Sequence, residues 1–216
     1  MNSVNETVQV LADDESKVWE GSAYYEDAER WNHIFWGDTS IFLGYFKELD
    51  LKVTLELACG HGRHGEHILN TYGNQIDELI MVDILQSNID FCEERIHDDR
   101  VTLIKNDGVR LTGVQDDCCS SIFCYDAMVH FDKDVVRAYL EETYRALRQG
   151  GRGLFHHSNY SENSETKFSQ NPHARAYMTA DLFSSYAEQA GLKVLAQQVV
   201  GWGNVPELDC LTLVSK

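Results

Sequence analysis

Short apolar runs alternate with segments of helical periodicity between residues 52 and 156. Strands are predicted over 52–57, 79–83, 101–104, 121–125 and 153–156, and helices over 63–72, 84–96 and 132–148. Such alternation builds right-handed β-α-β units, in which the strands run parallel and helices cover both faces of the sheet. The sequence therefore predicts an α/β fold with a mostly parallel sheet.

The end of the chain breaks this alternation. After a predicted helix over 180–190, two predicted strands, 192–200 and 211–214, follow each other with no helix between them. They are joined through the segment GWGNVPELD, and strands joined in this way pair as an antiparallel hairpin. We expect the hairpin to add one antiparallel strand at the edge of the sheet.

Three segments lie outside the repeating pattern. Residues 1–20 are polar and acidic and are expected to form a flexible arm. Residues 21–51 are crowded with aromatic side chains, and we predict a helical cap whose rings either face the core or form one wall of a substrate pocket. A polar insertion at about 157–180 follows a strand end, where ligands bind in open α/β sheets. It is a candidate lid, and an idle loop is the alternative.

The composition narrows the partners and the location. A net charge of −17 would repel a nucleic-acid backbone over most of the surface, so no nucleic-acid partner is expected. No apolar run approaches the roughly 20 residues of a membrane span, and no membrane partner is expected. The first residues lack a secretory signal, and the six cysteines lack metal or redox spacing. We therefore expect a cytoplasmic protein without a metal site. The sequence leaves the oligomeric state open.

A glycine-rich loop follows the first predicted strand. Gly60, Gly62 and Gly65 form the pattern G-x-G-x-x-G, which allows a tight turn, a close approach of a ligand and close packing of the next helix. Asp83 lies about 20 residues further on, where a carboxylate can accept hydrogen bonds from ribose hydroxyls. These features alone fit an NAD-dependent oxidoreductase.

Two carboxylates, Glu56 and Asp107, favour a ligand other than NAD. Glu56 lies within the first predicted strand, where a buried carboxylate needs a partner such as the ammonium group of a ligand. Asp107 follows the third strand and could accept a hydrogen bond from the exocyclic amine of adenine. A carboxylate held by the loop itself, and a polar turn residue before a glycine, are the respective alternatives.

Five motifs occur in order: ELACGHG (56–62), MVD (81–83), NDG (106–108), FCYDAMVHF (123–131) and LRQGGRGLF (147–155). In these motifs the sequence resembles the class I S-adenosylmethionine-dependent methyltransferases from about residue 53 to the end. The resemblance implies a Rossmann-like three-layer fold over 52–216, with a seven-stranded sheet of order 3-2-1-4-5-7-6 in which strand 7 is antiparallel. It also implies that S-adenosylmethionine is the cofactor and S-adenosylhomocysteine the product.

The same resemblance assigns the cofactor residues. Gly60 and Gly62 would face the methionine portion, Glu56 would help to hold it, Asp83 would bind the ribose and Asp107 the adenine amine. The other residues expected around the cofactor are Ala58, Arg63, Ile84, Asn106, Gly108 and Tyr125.

Methyl transfer is an in-line displacement, so a base is needed only when the attacking atom must lose a proton. The candidate catalytic residues near strand ends are His130, His157 and Asp126. The candidate substrate contacts are Trp31, Trp36, His156, Tyr160 and Arg175. We expect methylation of a small molecule, at oxygen. The NAD-dependent oxidoreductase and a non-catalytic S-adenosylmethionine-binding protein are the alternatives.

Overall fold

The computed structural model describes residues 2–164 and 167–216, and its seven strands form one sheet. The strands are β1 (Val53–Leu57), β2 (Glu78–Asp83), β3 (Val101–Lys105), β4 (Cys119–Cys124), β5 (Leu147–Ser158), β6 (Lys193–Trp202) and β7 (Val205–Ser215). Their order is β3-β2-β1-β4-β5-β7-β6. Only β7 is antiparallel to its neighbours, β5 and β6. The predicted fold class is therefore confirmed.

Helices flank this sheet. They are α1 (Asn2–Ser16), α2 (Tyr24–Glu29), α3 (Asn32–Phe35), α4 (Ile41–Phe46), α5 (Arg63–Tyr72), α6 (Gln86–Arg95), α7 (Lys133–Ala146) and α8 (Ala180–Gln189). No helix in the described part of the chain is both long and apolar enough to span a bilayer. Alternate residues of β2 enter two separate cores: Leu79 and Met81 pack on one face of the sheet, and Ile80 and Val82 on the other. Both faces are therefore covered.

The N-terminal segment differs from the expected flexible arm. Residues 2–16 form helix α1, in which Val8 and Ala12 are buried and pack with Leu11 against the core. Their spacing of three and four residues places them on one face of a helix. The flexible arm was predicted instead because most of the surrounding residues are polar or acidic. The backbone N–H of Asp132, which caps α7, donates to Glu15 at 2.9 Å. Helix α1 therefore belongs to the packed structure. Met1 lies outside the described residues.

The aromatic segment before β1 divides into two parts. In α4, Phe42 and Phe46 are fully buried, and the ring of Phe42 stacks on Tyr125 with centroids 3.7 Å apart. Helices α2 and α3 carry residues that line the cavities described below, among them Tyr24 and Phe35. The segment therefore supplies both core and cavity wall.

The polar insertion packs onto the domain over its described residues. Tyr160 and Tyr177 form a parallel bridge, and the N–H of Met178 donates to the carbonyl of Tyr160 at 3.0 Å. Arg175 and Met178 are almost completely buried. Residues 165 and 166, which fall within the predicted insertion, lie outside the described residues.

Close packing of α5 on the sheet predicts opposite effects for two helical glycines. A Cβ at Gly65 would lie 2.7 Å from Met81 Sδ and 2.9 Å from Glu56 Oε2, whereas one at Gly44 in α4 would meet nothing within 4 Å. We expect Gly65→Ala to lower the free energy of unfolding by about 1–3 kcal/mol. Gly44→Ala, the control, should raise it by roughly 0.5–1 kcal/mol. Urea unfolding measures both, and a stabilised Gly65→Ala variant would contradict the close approach.

Candidate active site

A main cavity lies where β1, β2, β3 and β4 end. The loops after these strands form its floor, and residues of α1 and α2 close its sides. The predicted site residues that line it are Ala58, Gly60, Arg63, Asp83, Ile84, Asn106, Gly108, Tyr125, Asp126 and His130. The structure thus brings most of the predicted cofactor residues to one place.

The loop after β1 owes its shape to left-handed backbone conformations. Gly60 and Gly62 have φ angles of 54° and 77°, and Ala58 has a φ of 57°. An L-residue in this conformation is strained by about 1–2 kcal/mol, so Ala58 stands where glycine would fit more easily. Gly62 ends the loop as the N-cap of α5 but does not line the main cavity.

Asp83, at the end of β2, holds this loop. Its carboxylate accepts hydrogen bonds from the backbone N–H groups of Gly60 and Leu85, both at 2.9 Å, and from the side-chain amide of Asn88 at 3.1 Å. Burial raises the pKa of Asp83, and these hydrogen bonds oppose the rise. Asp83 therefore fixes the loop while facing the main cavity.

Glu56 lies beneath the loop and does not line the main cavity, contrary to its expected contact with the methionine portion. Its side chain is buried, and Oε2 has no hydrogen-bond partner among the described residues. Burial raises the pKa of Glu56 to about 8, so the carboxyl is largely protonated at neutral pH. A neutral acid under the loop needs no cationic partner.

Asp107 also differs from its expected role at the adenine. Its carboxylate accepts the backbone N–H groups of Val109 at 3.0 Å and Arg110 at 2.7 Å, and it does not line the main cavity. An aspartate before glycine readily caps a turn in this way. The neighbouring Asn106 lines the cavity instead, and its amide donates to the hydroxyl of Tyr139 at 2.9 Å.

Asp126 follows β4 and is held through only one of its two carboxylate oxygens. Its Oδ2 accepts hydrogen bonds from the Tyr24 hydroxyl at 2.6 Å and from Arg63 Nη2 at 2.7 Å. Its Oδ1 is buried and has no partner within the described part of the chain. Burial and the adjacent carboxylate raise the pKa of Tyr24, so the phenol stays protonated and donates. One carboxylate oxygen thus remains available to a ligand.

Sequence reasoning missed His64, which lines the main cavity beside Arg63. The indole N–H of Trp36 donates to its Nδ1 at 3.0 Å, so the ring proton is on Nε2. That buried N–H has no acceptor among the described residues. Trp36, predicted to contact substrate, instead packs on His64 and on Phe42 and Phe46. From the sequence, only the indole N–H of Trp36 could have indicated its bond to His64, because a buried indole N–H needs a hydrogen-bond partner.

The two histidines proposed as bases lie in different surroundings. His130 lines the main cavity, and its Nδ1 is 2.7 Å from the carbonyl of Ala174, which places the proton on Nδ1. Burial lowers the pKa of His130 to about 4. His157 lines neither cavity, and its ring nitrogens are bonded to Ser158 and Thr212 at 2.8 Å. The predicted catalytic role of His157 is therefore not supported, because its ring is enclosed within the sheet.

Arg175 and His156 were expected to contact substrate, but both enter a buried ion cluster. Arg175 donates to Asp209 through Nε at 2.8 Å and Nη2 at 2.6 Å, and His156 Nε2 donates to Asp209 at 3.0 Å. Burial alone would raise the pKa of Asp209, but the hydrogen bonds from His156 and Arg175 lower it to about 2. The backbone N–H of Asp126 donates to His156 Nδ1 at 3.2 Å. The cluster therefore supports the backbone at Asp126, which has a φ of 59°.

A second cavity, called here the aromatic cavity, adjoins the main one. Its lining is rich in aromatic rings, among them those of Trp31, Phe35, Phe42, Tyr125, His156 and Trp202. Tyr24 and Tyr125 line both cavities. Of the predicted substrate contacts, Trp31 and His156 lie here, whereas Tyr160 lines neither cavity. The two cavities therefore meet at a pair of tyrosines.

Residues 54–151 match the family model of a methyltransferase domain. Residues 54–151 therefore form a methyltransferase domain, and this match supports the class I S-adenosylmethionine-dependent family. The predicted family and cofactor are thereby confirmed. No curated protein matches the sequence.

Solved structures share the fold of this methyltransferase domain. A chain from the complex of the Haloferax volcanii Trm112 methyltransferase activator is 15% identical, with 96% of each chain covered and a TM-score of 0.66. A methyltransferase from Mesorhizobium loti is 11% identical over 81% of this chain and 95% of that one, with a TM-score of 0.64. One from Clostridium acetobutylicum is 16% identical over 90% and 99%, with a TM-score of 0.63.

The residues that line the main cavity fit S-adenosylmethionine. The cofactor carries a positive sulfonium, an amino acid group and ribose hydroxyls. The cavity offers the carboxylates of Asp83 and Asp126 to positive or donor groups, and the N–H of His64 to a carboxylate. The free Oδ1 of Asp126 and the free Nε2–H of His64 are buried polar atoms of the kind that a ligand satisfies.

The buried Glu56 predicts a pH-dependent stability. Its pKa is about 8 in the folded chain and near 4.5 when unfolded, so the native state holds an extra proton between these values. The free energy of unfolding should therefore fall as the pH rises from 4.5 to 8, by roughly 3–5 kcal/mol from this group. Glu56→Gln should remove that part of the dependence, as measured by urea unfolding at pH 5 and pH 8.

A control separates this effect from a general loss of acidic charge. Glu93 lies on the exposed face of α6, and Glu93→Gln should keep the wild-type pH profile. Parallel profiles for wild type and Glu56→Gln would contradict the assignment.

Proposed function

We propose that this methyltransferase transfers the methyl group to an oxygen atom of a small molecule in the cytoplasm. The observation that carries the proposal is the free Oδ1 of Asp126, a buried carboxylate oxygen beside the junction of the two cavities. A hydroxyl needs a proton acceptor when it attacks, whereas an amine that is already neutral does not need one before attack. The net charge of −17 favours a small molecule over a nucleic acid.

Four parts of the main cavity would hold the cofactor. Asp83 would accept the ribose hydroxyls, and Asn106 and Gly108 would face the adenine. The left-handed loop that contains Gly60 would lie against the methionine portion. The Nε2–H of His64 would donate to the methionine carboxylate, a role that uses its missing partner. Bound in this way, S-adenosylmethionine supplies a methyl group on a positively charged sulfur.

The residues of the chain then align the reacting oxygen and exclude water. Tyr24 and Tyr125 stand between the cavities, so a methyl acceptor in the aromatic cavity would approach past them. The bound cofactor would supply the methyl group to the reacting oxygen and would leave as neutral S-adenosylhomocysteine. The hydroxyl proton passes to Asp126 Oδ1. Arg63 and Tyr24 hold the other oxygen, so the carboxylate cannot rotate freely.

His130 is the weaker candidate for the base. Its neutral ring could accept a proton, but burial keeps its pKa at about 4, and its Nδ1 is committed to Ala174. It lines only the main cavity, whereas Asp126 is bonded to a tyrosine that lines both. We therefore assign the proton transfer to Asp126 and a structural role to His130.

Asp126→Asn tests this assignment. The amide keeps the shape and can accept from Arg63, but it cannot take up a proton. We expect kcat to fall by a factor of about 10²–10⁴, and affinity for S-adenosylhomocysteine, which lacks the sulfonium charge, to change by less than about threefold. Methyl transfer to a panel of alcohols, phenols, amines and thiols gives kcat, and calorimetry gives the affinity.

His130→Gln is the matched variant. It should retain kcat within about tenfold, because a base contributes more than this. Full activity in Asp126→Asn together with loss in His130→Gln would transfer the role to His130. Turnover of amines or thiols but of no hydroxyl compound would contradict methylation at oxygen.

A further inference from the structure

We infer that the methyl acceptor is a neutral, flat aromatic molecule with a hydroxyl group, and that it binds in the aromatic cavity. This inference rests on the proposed function, because it specifies the substrate of the same site. It comes from the chemistry of the cavity wall, the arrangement of its rings and the apolar side chains at its mouth.

The described residues that line the aromatic cavity include no Asp, Glu, Lys or Arg. This contrasts with a chain that has 35 acidic and 18 basic residues. The polar groups of the lining are the hydroxyls of Thr39, Ser40 and two tyrosines, the indole N–H groups and two histidines. His156 uses both ring nitrogens in other hydrogen bonds. A charged ligand would lose its hydration without gaining a counterion, so a neutral one is favoured.

The rings of the lining already pair with one another in stacked and edge-to-face geometries. Phe35 and Trp202 are nearly parallel, with centroids 5.7 Å apart and planes at 15°. Tyr125 stacks on Phe42 and meets Phe35 edge-on at 5.0 Å. Aromatic rings associate best in offset-stacked or edge-to-face geometries, which a flat aromatic ligand can extend.

Two arginines brace these rings without adding net charge. The guanidinium of Arg63 lies 4.6 Å from the centre of Phe35, and that of Arg175 lies 4.9 Å from the centre of Trp202. Each is paired with a buried carboxylate, Asp126 and Asp209 respectively. The rings are therefore held in place before a ligand arrives, which reduces the ordering that binding requires.

Apolar side chains are exposed at the mouth of this cavity. Trp31, Ile34 and Ile41 are exposed by 50%, 52% and 39%, and all three line the aromatic cavity. Grouped exposed apolar residues mark a binding surface more often than scattered ones do. They would guide an apolar molecule inward, and its hydroxyl would reach the tyrosines that adjoin Asp126.

The chemical step is the one proposed above. The hydroxyl oxygen forms a bond to the methyl carbon, the carbon–sulfur bond breaks with its electrons left on sulfur, and the proton passes to Asp126 Oδ1. A neutral hydroxyl compound thus gives a neutral methyl ether, and no other reactant is needed.

Three naphthalene probes test the charge requirement. They are 2-naphthol, 2-naphthoate and 2-naphthylmethylammonium, which share the ring and differ in charge. We expect methylation of 2-naphthol to 2-methoxynaphthalene, and binding of the two charged probes at least tenfold weaker than that of 2-naphthol. Equal or tighter binding of either charged probe would overturn the inference.

Variants at Trp31 test the location, because this half-exposed side chain can be changed with little risk to folding. Trp31→Ala should raise KM for 2-naphthol about tenfold and change kcat less than threefold, and Trp31→Phe should restore most of the loss. Tyr144→Ala, at an exposed aromatic residue that lines neither cavity, is the control and should behave as wild type. Methylation that is unaffected by Trp31→Ala would overturn the location.

Calorimetry with S-adenosylhomocysteine separates this inference from the proposed function. Cofactor binding and methylation of a non-aromatic alcohol, without turnover of 2-naphthol, would overturn the aromatic methyl acceptor and leave methylation at oxygen standing. Cofactor binding with turnover of amines or thiols alone would overturn both.

Discussion

The salt bridge between Arg63 and Asp126 holds the active site together. Both side chains are almost completely buried, and removing one partner of such a pair costs about 3–5 kcal/mol because the other charge is left uncompensated. Arg63 begins α5 and also donates to the carbonyl of Ala28 in α2 at 2.7 Å. Tyr24, in the same helix, donates to Asp126. Helix α5, helix α2 and the loop after β4 are thus joined through the carboxylate of Asp126.

The buried ion cluster of Arg175, His156 and Asp209 supports the backbone that carries this carboxylate. Arg175 comes from the insertion, Asp209 from β7 and His156 from β5, and the ring of His156 accepts the backbone N–H of Asp126. The insertion and the terminal hairpin therefore position the backbone at Asp126 through this cluster, and Trp202 of the hairpin also lines the aromatic cavity. This explains why a basic residue in a polar insertion can be fully buried: its charge is matched within the fold.

Patterns local in sequence predicted most of the fold and part of the site. Strand–helix alternation indicated the sheet, and the position of Asp83 at a strand end placed it in the cavity. The ion pair of Arg175 with Asp209 joins residues 34 positions apart, and no periodicity reports such a contact. Asp107 was placed at the adenine, whereas in the structure it caps a turn, because a turn cap and a ligand contact look the same in sequence. The packed helix α1 was not predicted, because the few apolar residues of this segment lie among acidic ones.

A crystal structure with S-adenosylhomocysteine bound tests the central claim, that the free oxygen of Asp126 faces the transferred methyl. We predict the sulfur on the side of the main cavity lined by Asp126 and Tyr24, with the adenine between Asn106 and α1. Asp126 Oδ1 should then face the position of the methyl group, across the boundary from the aromatic cavity. A sulfur lying away from Asp126, or an Oδ1 bonded only to the methionine ammonium, would contradict the account.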